Sequence, residues 1–143
     1  MARRHVILKR KIPIYQHVLC SSIVLLLVGG LDLLFSNLSS YFSWPSIVHD
    51  VLLVIMGVYG LQTYRSTEAG TFSLFSRLAG GLLFAWFVFF LASIVIMTFF
   101  ETSIFVESRD FYIAFGIVNF ITFCSCLTAI RASRHISQKL EML

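Results

Sequence analysis

The side chains best suited to chemistry are Asp32, His49, Asp50, Glu101, Glu107 and Asp110. Carboxylates beside an imidazole are a donor set for a divalent cation, and they equally suit a basic segment of another protein. The plain alternative is a solvated acidic rim, left where helix ends meet water. Cys124 and Cys126 are two residues apart and so do not share a helix face, which rules them out as a metal pair. Cys20 stands apart from both, and all three read as small apolar residues within spans. His17 and His49 fall near opposite surfaces and cannot be the two axial ligands of one haem. The chain has no HExxH, no GxSxG, no phosphate-binding loop and no CxxC, and no serine stands beside a recognisable base. The expectation is a chain with no catalytic residues, no cofactor and no metal site of its own.

What must position these groups is a set of membrane helices. Leu78–Phe100 is an uncharged run of 23 residues. At about 1.5 Å per residue it reaches roughly 34 Å, enough to cross a hydrocarbon core of about 30 Å. Across the chain 58% of residues are hydrophobic and 13% charged, against roughly 45–50% and 25% in soluble domains. Lipid, not water, must cover that excess. Inside lipid only helices and closed barrels satisfy every backbone hydrogen bond, and the apolar runs here do not alternate as barrel strands do. The fold class is therefore all-α: an integral membrane four-helix transmembrane bundle filling a single domain, 1–143. The spans are predicted at 14–35, 47–64, 78–100 and 110–130, with a basic N-terminal tail over 1–11 and a C-terminal tail over 131–143. The first apolar run continues to Phe35 without a small-x-small cleavage site, so it reads as an uncleaved span and not a signal peptide.

Lysine and arginine set the orientation. With both termini cytosolic, Arg3, Arg4, Lys9, Arg10, Lys11, Arg65, Arg77, Arg131, Arg134 and Lys139 share the inner side, leaving Arg109 of the 11 cations outside. That asymmetry is the positive-inside signal for short loops. Arg3, Arg4, Lys9, Arg10, Lys11, Arg131, Arg134 and Lys139 are the expected contacts to lipid headgroups, and no nucleic-acid partner is implied. Arg3-Arg4 also resembles a di-arginine address, which favours the endoplasmic reticulum or Golgi over the plasma membrane. In the C-terminal tail Ile136, Leu140 and Leu143 share one face, which suits a helix lying in the membrane interface or a frayed, solvated tail.

Small residues mark where helix backbones approach. Gly29 and Gly30 supply them in the first span, Gly57 and Gly60 in the second, and Gly81, Ala85 and Ala92 in the third. In the fourth, Gly116, Asn119, Thr122, Cys126 and Ala129 make a small, weakly polar stripe. Asn119 falls near mid-depth, where facing lipid would be costly, so the stripe should face the bundle or a partner. Gly57, Gly60, Gly81, Ala85, Ala92, Gly116, Asn119, Thr122 and Cys126 are accordingly the candidate packing or partner residues.

The sequence Gly57-Val-Tyr59-Gly60 running to Arg65, a short connector and then a Phe-rich third span resemble small four-span proteins of the MARVEL and tetraspan type. The Cys-Cys-Gly pattern of a tetraspanin outer loop is missing. Such a resemblance implies scaffolding or membrane organisation. The leading expectation from the residues is a small non-catalytic accessory or regulatory subunit. It would pack against a larger integral membrane protein, such as a lipid- or glycan-handling enzyme. A self-associating organiser is the second expectation, and a homo-oligomeric channel or lipid conduit lined by the Asn119 stripe is the third.

Overall fold

In the computed structural model, which describes residues 13–38, 44–100 and 109–142, the chain is all-helical. Its elements are α1 (Ile14–Leu38), α2 (Trp44–Arg65), α3 (Ala69–Phe100) and α4 (Arg109–Glu141). All four are long and apolar enough to cross a membrane, as expected of a multi-pass membrane protein.

Local chemistry sets several of the ends. Pro13 precedes α1, where a missing N–H costs nothing, and its carbonyl accepts from Gln16 N–H at 3.0 Å. Pro45 sits in the first turn of α2 for the same reason. At the end of α2 the Ser66 N–H bonds back to the Gln62 and Thr63 carbonyls. The Ser66 hydroxyl then accepts from Glu68 N–H at 3.2 Å and lies 3.3 Å from Thr71 Oγ1. This one side chain closes α2 and leads into α3, so the α2–α3 connector is only Ser66, Thr67 and Glu68.

Consecutive helices run antiparallel. The α1–α2 and α3–α4 hairpins are the most extensive pairs, α1 also packs along α4, and α2 touches α3 more lightly, which closes a ring of four. α1 and α2 meet backbone to backbone. A Cβ on Gly57 would fall 2.7 Å from the Leu26 amide nitrogen, and one on Gly29 would fall 2.8 Å from the Asp50 carbonyl oxygen. Lipid tails are as apolar as leucine, so within the bilayer such close fitting holds helices together.

α3 and α4 extend well past the predicted spans. Their 32 and 33 residues reach about 48–50 Å, against a hydrocarbon core of about 30 Å. α3 begins nine residues ahead of Leu78, and α4 continues through the expected C-terminal tail to Glu141. The reason lies in the packing. Phe72, Phe75 and Ala79 are fully buried at helical spacing, as are Ala129, Ala132 and Ile136 on α4, each with at most 3% exposure. The Tyr15 ring of α1 meets Phe72 edge-on, with centroids 5.7 Å apart. Wherever such a face is withdrawn from water, burying each phenylalanine contributes about 1.5–3 kcal/mol. Ile136 thus faces the bundle core, not a lipid surface, and the expectation of a separate interfacial or frayed tail is corrected.

Candidate functional site

The paired extensions of α3 and α4 create a polar pocket of about 220 Å³ between them. It is lined by Ser73, Ser76 and Arg77 from α3 and by Arg134, Ser137, Gln138 and Glu141 from α4. Every lining residue lies between the N-terminus of α3 and Leu78, or beyond Ile130 of α4. The pocket thus lies at the end of the bundle where α3 begins and α4 ends.

Hydrogen bonds across the seam fix its walls. The Ser76 hydroxyl is 2% exposed; it accepts from Arg134 Nε at 3.3 Å and reaches the Ile130 carbonyl at 3.5 Å. The buried Ser137 hydroxyl lies 3.1 Å from the Ala69 carbonyl and 3.2 Å from Glu141 Oε1, and its single proton serves one of them at a time. Among the described residues neither Arg77 nor Arg134 has a carboxylate within 4.0 Å; the charged contact found is His49 Nδ1 to Asp50 Oδ1 at 3.3 Å. The pocket therefore presents two guanidinium groups and one carboxylate among hydroxyl and amide groups.

At the opposite end, Asp50 is buried (3% exposed), with Oδ2 and His49 Nε2 unbonded among the described residues. Asp50 is thus not part of a solvated rim. Asp32 is half-buried. Among the described residues no group of three His, Cys, Asp or Glu side chains converges to hold a metal ion. Glu101 and Glu107 lie outside the described residues, as does the side chain of Asp110.

The small residues separate into two groups. Gly57 and Gly60 are buried; Gly60 lies against the Ser22 side chain and the Phe75 ring, with no room for a Cβ. Thr122 and Cys126 are buried along α4, and Thr122 donates to the Val118 carbonyl at 3.0 Å. Asn119 is half-buried and accepts from Trp86 Nε1 at 2.7 Å. Gly81, Ala85 and Gly116 instead look outward, and nothing lies within 4 Å of a Cβ built on Gly81 or Gly116. The side chain of Ala92 is outside the described residues.

Of the expected headgroup contacts, Arg131 and Arg134 are exposed and Lys139 is half-buried at the same end as the pocket. Arg3, Arg4, Lys9, Arg10 and Lys11 lie outside the described residues. Sequence reasoning passed over Arg77, Ser73, Ser76, Ser137, Gln138 and Glu141 as a group. The available signal was helical spacing: 73, 76 and 77 fall on neighbouring faces of one helix, as do 134, 137, 138 and 141. Comparison with protein-family models finds no matching family, and comparison with curated proteins and with solved structures finds no similar chain.

Proposed function

We propose that this chain is a non-catalytic membrane subunit that docks a larger integral membrane protein through the outward face of α3. The observation that carries the reading is the placement of Gly81 and Ala85. They lie one turn apart in an exposed arc with Leu78, Phe84 and Val88, and among the described residues nothing packs over Gly81. Gly29 of α1 and Gly57 and Gly60 of α2 instead serve contacts inside the bundle. A small-residue dent flanked by large apolar side chains gives a second helix a close seat, which lipid tails do not need. The larger partner belongs to the class of lipid- or glycan-handling membrane enzymes.

In this reading both termini face the cytosol, because ten of the 11 cations in the sequence belong to the two tails and the connector between the second and third spans. Arg3-Arg4 favours retention in the endoplasmic reticulum or Golgi. The same α3 face would serve self-association in an organiser of the MARVEL-like kind, so stoichiometry decides between the two. Purification in mild detergent followed by mass spectrometry should recover a stoichiometric larger membrane protein. Gly81→Leu should release it while leaving the melting midpoint of the bundle unchanged. A pure homo-oligomer, disrupted by the same substitution, would favour the organiser. Tags at the two ends found on opposite faces of the membrane would overturn the topology.

A further inference from the structure

We infer that the α3–α4 pocket is a binding site for a phosphate monoester presented at the membrane surface. The inference rests on the membrane placement of the bundle, and it stands whether or not a larger protein docks on α3.

Arg77 and Arg134 enter the same pocket from different helices, and neither is engaged by a carboxylate among the described residues. Arginine's planar fork matches the oxygens of a phosphate group, with charge-assisted bonds about twice as strong as neutral ones. The site is also built. Ser76 is buried and bonds Arg134 through Nε alone. That bond fixes the base of the guanidinium and leaves its two terminal nitrogens to serve a ligand. Gln138 and the half-buried Ser73 add neutral donors on either wall. A volume of about 220 Å³ holds several waters at about 30 Å³ each, so a phosphate group displaces solvent without moving a helix.

Glu141 moderates the affinity. It lines the same pocket and lies 3.2 Å from the Ser137 hydroxyl. Two cations and one anion leave the pocket at a net single positive charge. A monoester offers the two arginines three terminal oxygens and two negative charges, whereas a diester offers two oxygens and one charge. A monoester can come from the headgroup of an anionic lipid or from a soluble phosphate compound, and the setting among four membrane-length helices favours the first source.

The test uses the full-length chain in nanodiscs and in detergent, with native mass spectrometry and lipid titration as readouts. Phosphatidic acid, a monoester, is compared with phosphatidylglycerol and phosphatidylcholine, which are diesters. Glycerol 3-phosphate is added in a separate arm as a soluble competitor. Phosphatidic acid should bind at least tenfold more tightly than phosphatidylglycerol. Arg77→Gln with Arg134→Gln should lose at least tenfold of that affinity, with helicity by circular dichroism unchanged. Arg131→Gln with Lys139→Gln removes the same two charges from the same end, but neither residue lines the pocket, so the effect should stay within twofold. Glu141→Gln should tighten binding several-fold. Displacement of the lipid by millimolar glycerol 3-phosphate would assign the site to soluble phosphates. Equal binding of monoester and diester, or a loss in the Arg131→Gln, Lys139→Gln pair matching that of the pocket pair, would overturn the proposal in favour of general surface charge.

Discussion

The Trp86 indole N–H donates to the Asn119 side-chain oxygen across 2.7 Å, joining α3 to α4 within the expected bilayer depth. The same indole stands 6.3 Å, centroid to centroid, from the Phe123 ring one turn further along α4. Hydrogen bonds between membrane helices average about 0.6 kcal/mol and reach about 1.7 kcal/mol. Trp86→Phe keeps an aromatic ring and removes the donor, so it should destabilise the bundle within that range. A double-mutant cycle with Asn119→Leu, read by unfolding in mixed micelles, should give a coupling energy of comparable size. A coupling near zero would show that the bond contributes nothing to the hairpin. If Asn119 lines a conduit, Asn119→Leu will also lower flux into liposomes; unchanged flux removes it as the pathway.

The glycines should divide by location. At Gly57 an added Cβ meets the Leu26 backbone nitrogen, Cα and Cβ at 2.7–2.8 Å, atoms that cannot swing aside. Gly57→Ala must push α1 away from α2, at a cost of about 1–3 kcal/mol. Gly116→Ala meets nothing within 4 Å among the described residues and should hold stability or raise it by about 0.5–1 kcal/mol. Thermal unfolding in detergent distinguishes them, and equal melting midpoints would contradict the close α1–α2 approach.

Two buried hydroxyls carry no hydrogen bond among the described residues: Thr63 Oγ1 on α2 and Ser133 Oγ on α4, both in residues with 0% exposure. An unsatisfied buried polar group costs about 1–3 kcal/mol. Thr63→Val and Ser133→Ala delete the oxygen with little change of shape. Each should hold or raise the melting midpoint, whereas Ser76→Ala, which breaks the contact to Arg134, should lower it.

The three thiols offer a map of which faces meet lipid. Cys20 and Cys124 are exposed, while Cys126 is buried at 1%. In detergent at mildly alkaline pH, where exposed thiols can ionise, a maleimide should modify Cys20 and Cys124 of the folded protein and reach Cys126 only after denaturation. Peptide mass mapping reads each site, and early modification of Cys126 would place that face of α4 outside the bundle.

The helical class and the number of long apolar segments were legible because hydropathy over about twenty residues is strong and local. Arg77 hid the start of α3: a charge ends an apolar run, yet Phe72 and Phe75 continue the buried face on its other side. Arg131, Arg134 and Lys139 likewise made residues after Ile130 read as a tail, although Ile136 is only 1% exposed. Hydropathy averages all faces of a helix, whereas burial follows one. The pocket was out of reach for a related reason. Its lining residues come from two segments some sixty positions apart, and only the α3–α4 register, visible in the Ser76–Ile130 and Ser137–Ala69 contacts, brings them together.

Because every helix lies beside its successor, assembly can keep pace with translation. The first hairpin can lock at Leu26 and Gly57 while later segments are still on the ribosome. The meeting of the first and last helices, the contact of longest sequence separation, must come at the end. A chain stalled before its final helix would therefore hold one finished hairpin and one unpaired segment, the form in which quality-control factors of the membrane would meet it.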